Sequence, residues 1–196
     1  MLAEVYTNPL HHKHHTQKGK AMTTTTITQA YEPLPFAITR HLKAPRQLLW
    51  DVYTQAEHLL HWFGPKGVTM SHSAMDFRIG GKFHYCQALE GGTALWGLWQ
   101  FREIQTPEKI VLMQHFSDAQ GNVAPNPWDA SWPKQTLSTT TLTEQDGGTL
   151  LIIEWVPYDA SEQEKATFLA GHASMGPGWN SVLDRLETYL SLLQTK

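Results

Sequence analysis

The last stretch of the chain most narrows the folds open to it. Trp179, Val182, Leu183, Leu186, Tyr189, Leu190 and Leu193 recur at spacings of three and four, which marks one broad apolar stripe on a helix of about four turns. Such a stripe must be covered by something apolar, and what precedes it has the period of a sheet. Strand-like runs occupy about residues 67 to 77, 82 to 89, 93 to 104, 109 to 116, 135 to 144 and 149 to 157. Between them stand Gly80-Gly81, Gly91-Gly92, Pro107, a long loop and Asp146-Gly147-Gly148. Turns at such short intervals join antiparallel neighbours.

Ahead of these runs, Phe36, Ile38, Arg40 and Leu42 alternate with Ala37, Thr39, His41 and Lys43 as in a first strand. Pro45 then suits the first position of a helix that carries Leu48, Leu49, Val52 and Tyr53. Thr54 with Glu57 three residues on reads as the capping box of a second short helix with Leu59, Leu60 and Trp62, stopped at Gly64 and Pro65. Ser161 with Glu164 reads as another capping box, and Pro177 inside Gly176-Pro177-Gly178 is expected to kink or restart the helix it opens. The sum is an α+β domain whose sheet curls around its last helix.

Residues 1 to 35 lack this periodicity. They hold His11, His12, His14, His15 and a threonine run, Thr23 to Thr26, and read as a disordered tail before a single domain over residues 36–196. They contain no apolar core of a secretory signal, and Met22 is an alternative start. The histidines suit zinc, copper or nickel, but neighbours on a tail have no second layer of groups to orient them. An incidental tract is the simpler reading, and no metal site is assigned.

Composition removes several classes of function. The chain is 41% hydrophobic and has a net charge of -3, so a core can form. It has no basic run to bind nucleic acid or an anionic membrane surface. It also has no stretch of about 18 apolar residues to span a bilayer. Cys86, the one cysteine, cannot make an intrachain disulfide or a thiolate cluster and fits a reducing, cytoplasmic setting.

Local motifs fall into this order of elements. They are Trp62-Phe63-Gly64-Pro65, Asp76-Phe77-Arg78-Ile79-Gly80-Gly81-Lys82-Phe83, a Gly-x-Trp-x-Phe-Arg-Glu-Ile run from Gly97, Pro107-Glu108-Lys109-Ile110-Val111-Leu112, Gly148-Thr149-Leu150-Leu151, and Gly178-Trp179 ahead of Leu183-Asp184-Arg185-Leu186. Over about residues 36 to 194 the chain resembles the START-like, or SRPBCC, superfamily of helix-grip (Bet v-like) domains. It looks most like the branch named after the activator of the heat-shock-protein ATPase. The resemblance implies a curved seven-stranded antiparallel sheet around a long C-terminal helix, two short helices after the first strand, and a cavity between sheet and helix. Gly97, inside a strand, reads as a bulge or sharp bend in that curved sheet.

Strand parity groups the side chains that share a face: Phe83, Tyr85, Gln87 and Leu89 on one strand, and Leu95, Gly97, Trp99 and Phe101 on the next. Trp96 and Leu98 lie on the opposite face, which the long loop or a second subunit of a homodimer would cover. Glu154 shares a face with Leu150 and Ile152, and Trp155 shares one with Leu151 and Ile153. Which parity looks inward is open at this level. Candidate ligand-binding residues are Trp62, Tyr85, Trp99, His115, Glu154, Trp155, Met175 and Trp179, although Trp62 and Trp179 serve equally well as ordinary core aromatics. Asp76, Tyr85, His115 and Glu154 are the acid-base candidates. The loop from Ser117 to Pro133, with Trp128 and Trp132, reads as a lid or as a packed surface loop.

No nucleophile elbow, zinc-protease helix, phosphate loop or dinucleotide fingerprint occurs, and no cofactor is implied. The first expectation is therefore a binder of a small apolar or aromatic molecule. The alternatives are a cyclase- or dehydratase-type enzyme using enclosed acid-base residues and a module that stimulates a chaperone ATPase.

Overall fold

The computed structural model describes residues 35–89 and 91–195. The expectations for the tail over 1–35, including its histidines, lie outside them except at Pro35. The elements follow in the order β1 (Phe36–Leu42), α1 (Arg46–Thr54), α2 (Ala56–Trp62), β2 (Thr69–Met75), β3 (Lys82–Ala88), β4 (Ala94–Gln105), β5 (Lys109–Ser117), β6 (Val123–Ala124), β7 (Thr136–Gln145), β8 (Gly148–Pro157) and α3 (Glu162–Gln194). This is the α+β helix-grip architecture: an antiparallel sheet in the order β1-β8-β7-β5-β4-β3-β2 with two short helices after its first strand and a long helix at its end. The two-residue β6, inside the long loop, prolongs the sheet beside the end of β5, pairing Phe116 with Ala124.

Alternation decides which strand face is buried. Phe83, Tyr85, Trp99, Phe101, Ile110, Leu112, Leu151 and Ile153 join Trp179, Val182, Leu183, Leu186 and Leu190 of α3 in one core. The terminal apolar stripe is the face the sheet covers. Arg40 on β1 pairs with Asp184 at 2.8 Å and also reaches Glu187 and Asn180, holding the first strand to α3 at the surface. On the opposite face Leu98 is buried within the chain, and Trp96 is stacked on His84 with ring centroids 4.9 Å apart. His84 Nε2 donates to the Asp118 carbonyl at 3.0 Å, which ties the start of the long loop to this face.

Three local expectations are corrected. First, α3 runs through Pro177 without restarting. A proline there forgoes one backbone hydrogen bond, but Phe168 on one side and Trp179 to Leu190 on the other are both buried, so packing outweighs the local cost. Its Ser161 capping box forms as expected. Second, Thr54 does not cap α2. Its hydroxyl donates back to the Trp50 carbonyl at 2.8 Å as the last residue of α1, and Gln55 takes the cap position without a side-chain bond. Third, the sheet irregularities lie between Met70 and His72 and between Phe101 and Glu103, not at Gly97. Gly97 stands directly across from Tyr85, and a Cβ on it would collide with the Tyr85 phenol ring. The glycine makes room for that ring.

Among the described residues no helix is long and apolar enough to cross a membrane.

Candidate functional site

The Tyr85 ring that lies over Gly97 also forms part of a wall. A cavity of about 400 Å³ opens between the sheet and α3 at the end of the sheet where β6 lies. Its floor comes from Tyr85 and Gln87 on β3, Leu95 and Gly97 on β4, Gln114 to Phe116 on β5, Thr136 on β7 and Trp155 on β8. Met175, Gly178, Trp179 and Val182 of α3 face them, Phe63 to Pro65 close one side, and Trp128 and Trp132 of the long loop stand at another.

Aromatic contacts set the shape. Trp155 and Trp179 meet edge to face with centroids 5.1 Å apart, joining the sheet wall to the helix wall. Tyr85 is stacked on Phe83 at 5.1 Å and held edge-on by Phe63 at 5.2 Å. Trp132 packs on Phe168 at 5.4 Å, and a Cβ on Gly171 would press into its ring, so this tryptophan anchors the loop to α3. Trp128 is 62% exposed while lining the cavity, edge-on to Phe116 at 6.4 Å. It forms part of the rim.

None of the lining residues is Asp, Glu, Lys or Arg, and the titratable side chains among them are Tyr85 and His115. Burial pushes the Tyr85 phenol well above its ordinary value. His115 is pushed below the usual histidine range, chiefly by burial and further by the positive charges of Arg102 and Lys82, against an opposing hydrogen bond to the Lys134 carbonyl. Both groups are thereby favoured in their neutral forms. Among the described residues no group of three or more His, Cys, Asp or Glu could hold a metal ion.

Of the eight candidate ligand-binding residues, Tyr85, His115, Trp155, Met175 and Trp179 line the cavity. The other three stand elsewhere. Trp62 is fully buried, its Nε1 donating to the Val52 carbonyl at 3.1 Å and its ring against Tyr53. Trp99 is 4% exposed and sits behind the wall, edge-on to Phe63, Phe83 and Tyr85. Glu154 falls on the other parity from Trp155, paired across the sheet with Ala37 and Thr139 and exposed. Asp76 pairs with Arg78 at 2.9 Å, both half-exposed or more. Of the acid-base candidates, Tyr85 presents its side chain to the cavity, whereas His115 borders it from the other face of β5, where its partner across the sheet is Leu98. The wall also includes Phe63 and Phe116, which no local signal singled out.

One organising residue is invisible to local patterning. Arg185 of α3 donates from Nη1 to the carbonyls of Gly64, Pro65 and Val68 at 2.8, 3.1 and 2.9 Å, and from Nη2 to that of His61 at 3.0 Å. Its guanidinium satisfies the end of α2 and the turn that carries Phe63 to the cavity. Gly64 adopts φ +139° there, a conformation open to glycine. Because the fork is planar and makes bonds to several carbonyls at once, lysine cannot replace it. Arg185→Lys is expected to cost about 2–3 kcal/mol, the scale of losing charge-assisted hydrogen bonds with their acceptors left in place. Urea denaturation measures this; a loss under about 0.5 kcal/mol would mean that water replaces the guanidinium freely.

Residues 43–191 match a family model, that of the activator of Hsp90 ATPase homolog 1-like proteins. The chain belongs to this family. It is the AHSA-type branch of the START-like superfamily. The fold is shared with an Arthrobacter aurescens protein solved in solution, 23% identical over 81% of this chain and 87% of that one at a TM-score of 0.68. A Nitrosomonas europaea crystal structure matches at 21% identity, 84% and 98% coverage and a TM-score of 0.66. The AHSA1 protein of Silicibacter pomeroyi matches at 16% identity, 81% and 99% coverage and a TM-score of 0.60. No curated protein matches the chain significantly. At these identities the likeness concerns the AHSA1-type fold.

Proposed function

We propose that this AHSA1-family protein reversibly binds a neutral apolar or aromatic small molecule in the cavity between its sheet and α3. The observation that carries the reading is the wall itself: about 400 Å³ bounded by aromatic side chains, with no charged lysine, arginine, aspartate or glutamate on it. A ligand gains about 25 cal/mol for each Å² of apolar surface removed from water. An ionic ligand would lose hydration there and meet no counter-charge. The few polar side chains on the wall, among them Tyr85, Gln87, Gln114, Thr136 and Ser174, orient the ligand, as sparse polar groups do in apolar pockets.

Native mass spectrometry of the purified protein, followed by solvent extraction, is expected to find a neutral apolar compound. Trp179→Ala is expected to weaken a naphthalene-sized probe about tenfold, since one ring face removed from the wall exposes some tens of Å². An anionic ligand, or an affinity unchanged in Trp179→Ala, would defeat the proposal. Turnover of the bound compound, abolished in Tyr85→Phe while binding survives, would install the cyclase- or dehydratase-type reading in its place. The family's name points to ATPase activation, and stimulation of a chaperone ATPase unaffected by Trp179→Ala would favour the interaction module.

A further inference from the structure

Several polar groups on the cavity wall are already engaged. Gln87 donates from Nε2 to the Phe63 carbonyl at 3.2 Å, and Ser174 donates to the Gly171 carbonyl at 2.8 Å. The Tyr85 phenol lies across Gly97. Gln114 differs from these. On β5 it shares a face with Ile110 and Leu112, both buried in the core that α3 completes, and with Phe116. It lines the cavity. Among the described residues its side chain makes no hydrogen bond, and neither amide atom is shut off from open space. Its partner across the sheet on β7 is Thr136, also on the wall, whose hydroxyl makes no hydrogen bond among the described residues either. We propose that Gln114 is the specificity-determining residue of the cavity and selects aromatic ligands that carry a neutral carboxamide, an inference that rests on the cavity being the binding site.

The ligand class follows from what an enclosed amide requires. A glutamine side chain has a carbonyl oxygen that accepts and an NH2 group that donates. A ligand carboxamide has the same two functions side by side, so it can give an N–H to Oε1 while its own oxygen accepts from Nε2. A plain hydrocarbon seated on Gln114 strips water from both atoms and returns no bond, a penalty set against its apolar contact. A ketone satisfies Nε2 and leaves Oε1 unpaired. A carboxylate brings a charge to a wall that has no lysine or arginine to meet it. The cost of leaving a site's polar group unpaired is what makes such discrimination larger than apolar fit alone provides.

The test compares 2-naphthamide with 2-acetonaphthone, in which a methyl group replaces the amide NH2, by isothermal titration. Because the two differ in hydration, their affinity ratio is read in the parent and again in Gln114→Met, a side chain of like length without the amide, so that the transfer difference cancels. The amide-to-ketone ratio is expected to fall about threefold to tenfold in Gln114→Met, the worth of one net hydrogen bond, while the ketone still binds. Gln114→Leu removes the same amide with a different shape; it is expected to give the same fall, and it decides the matter if the methionine variant does not fold. A ratio equal in the parent and the variants overturns the role of Gln114 while leaving the binding reading intact. If neither compound binds the parent, the binding reading falls and this inference falls with it.

Discussion

Trp62→Ala is expected to lower stability by about 3–5 kcal/mol, the range for removing a large buried aromatic. That is about 10 °C or more of melting midpoint for a domain of this size. Trp62 closes α2, has no exposed surface, donates to the Val52 carbonyl in α1 and lies 5.2 Å from Tyr53. It therefore locks the two short helices to each other and to the core, and truncation leaves both a hole and an unpaired carbonyl. Trp62→Phe separates these effects: it refills most of the volume and is expected to cost only about 1–3 kcal/mol, mainly the lost hydrogen bond. Ligand affinity in Trp62→Phe is expected to stay within about twofold of the parent, since the ring is not part of the cavity wall. A stability loss below about 1 kcal/mol in Trp62→Ala would contradict this account of the packing.

The same tryptophan shows where sequence reading reaches its limit. Hydrophobic period identifies that Trp62, Trp155 and Trp179 are enclosed, because alternation and the three-four spacing depend only on neighbours along the chain. Whether an enclosed aromatic meets protein or empty space depends on residues of other elements. Trp155 and Trp179 meet each other at the cavity, while Trp62 meets Tyr53. Parity placed Tyr85 with Gln87 and separated Trp155 from Glu154, and the structure resolves which set looks inward. Parity also put Trp99 with Gly97 and so among the candidate ligand-binding residues, but it lies deeper, behind Tyr85.

The departures have a common physical form. Pro177 and Thr54 were read by local rules of capping and breaking, each worth about 1–3 kcal/mol, and long-range packing on both sides outweighed them. Arg185 is the converse case. It stands in the Leu183-Asp184-Arg185-Leu186 motif, but no local rule of period or capping assigns it a partner, and it satisfies four carbonyls spread over His61 to Val68. The element order was legible because each strand and helix declares its own period. The contacts that shape the cavity were not, because they join turns and helix faces that share no local pattern.

Gly97 offers the sharpest separation between local and long-range causes, since inside a strand most residues should be at least as good as glycine. Alanine would ordinarily gain about 0.5–1 kcal/mol there by restricting the unfolded chain. Here its Cβ would strike the Tyr85 ring, and that ring, stacked on Phe83 and held edge-on by Phe63 and Trp99, can yield only by giving up these contacts. Gly97→Ala is therefore expected to destabilise by about 1–3 kcal/mol, the cost of overpacking a filled site, and to weaken ligand binding by displacing Tyr85 from the wall. Tyr85→Leu removes the ring that the methyl group strikes, at its own cost in buried surface. In the double variant the clash is absent, so the two costs are expected to fall short of their sum by about 1 kcal/mol or more, a coupling typical of residues in contact. Chemical denaturation of the four proteins of this cycle measures the coupling directly. Additivity within about 0.5 kcal/mol would mean that the glycine is required by the backbone itself, in the bend that its sequence context suggests, and not by the ring that crosses it.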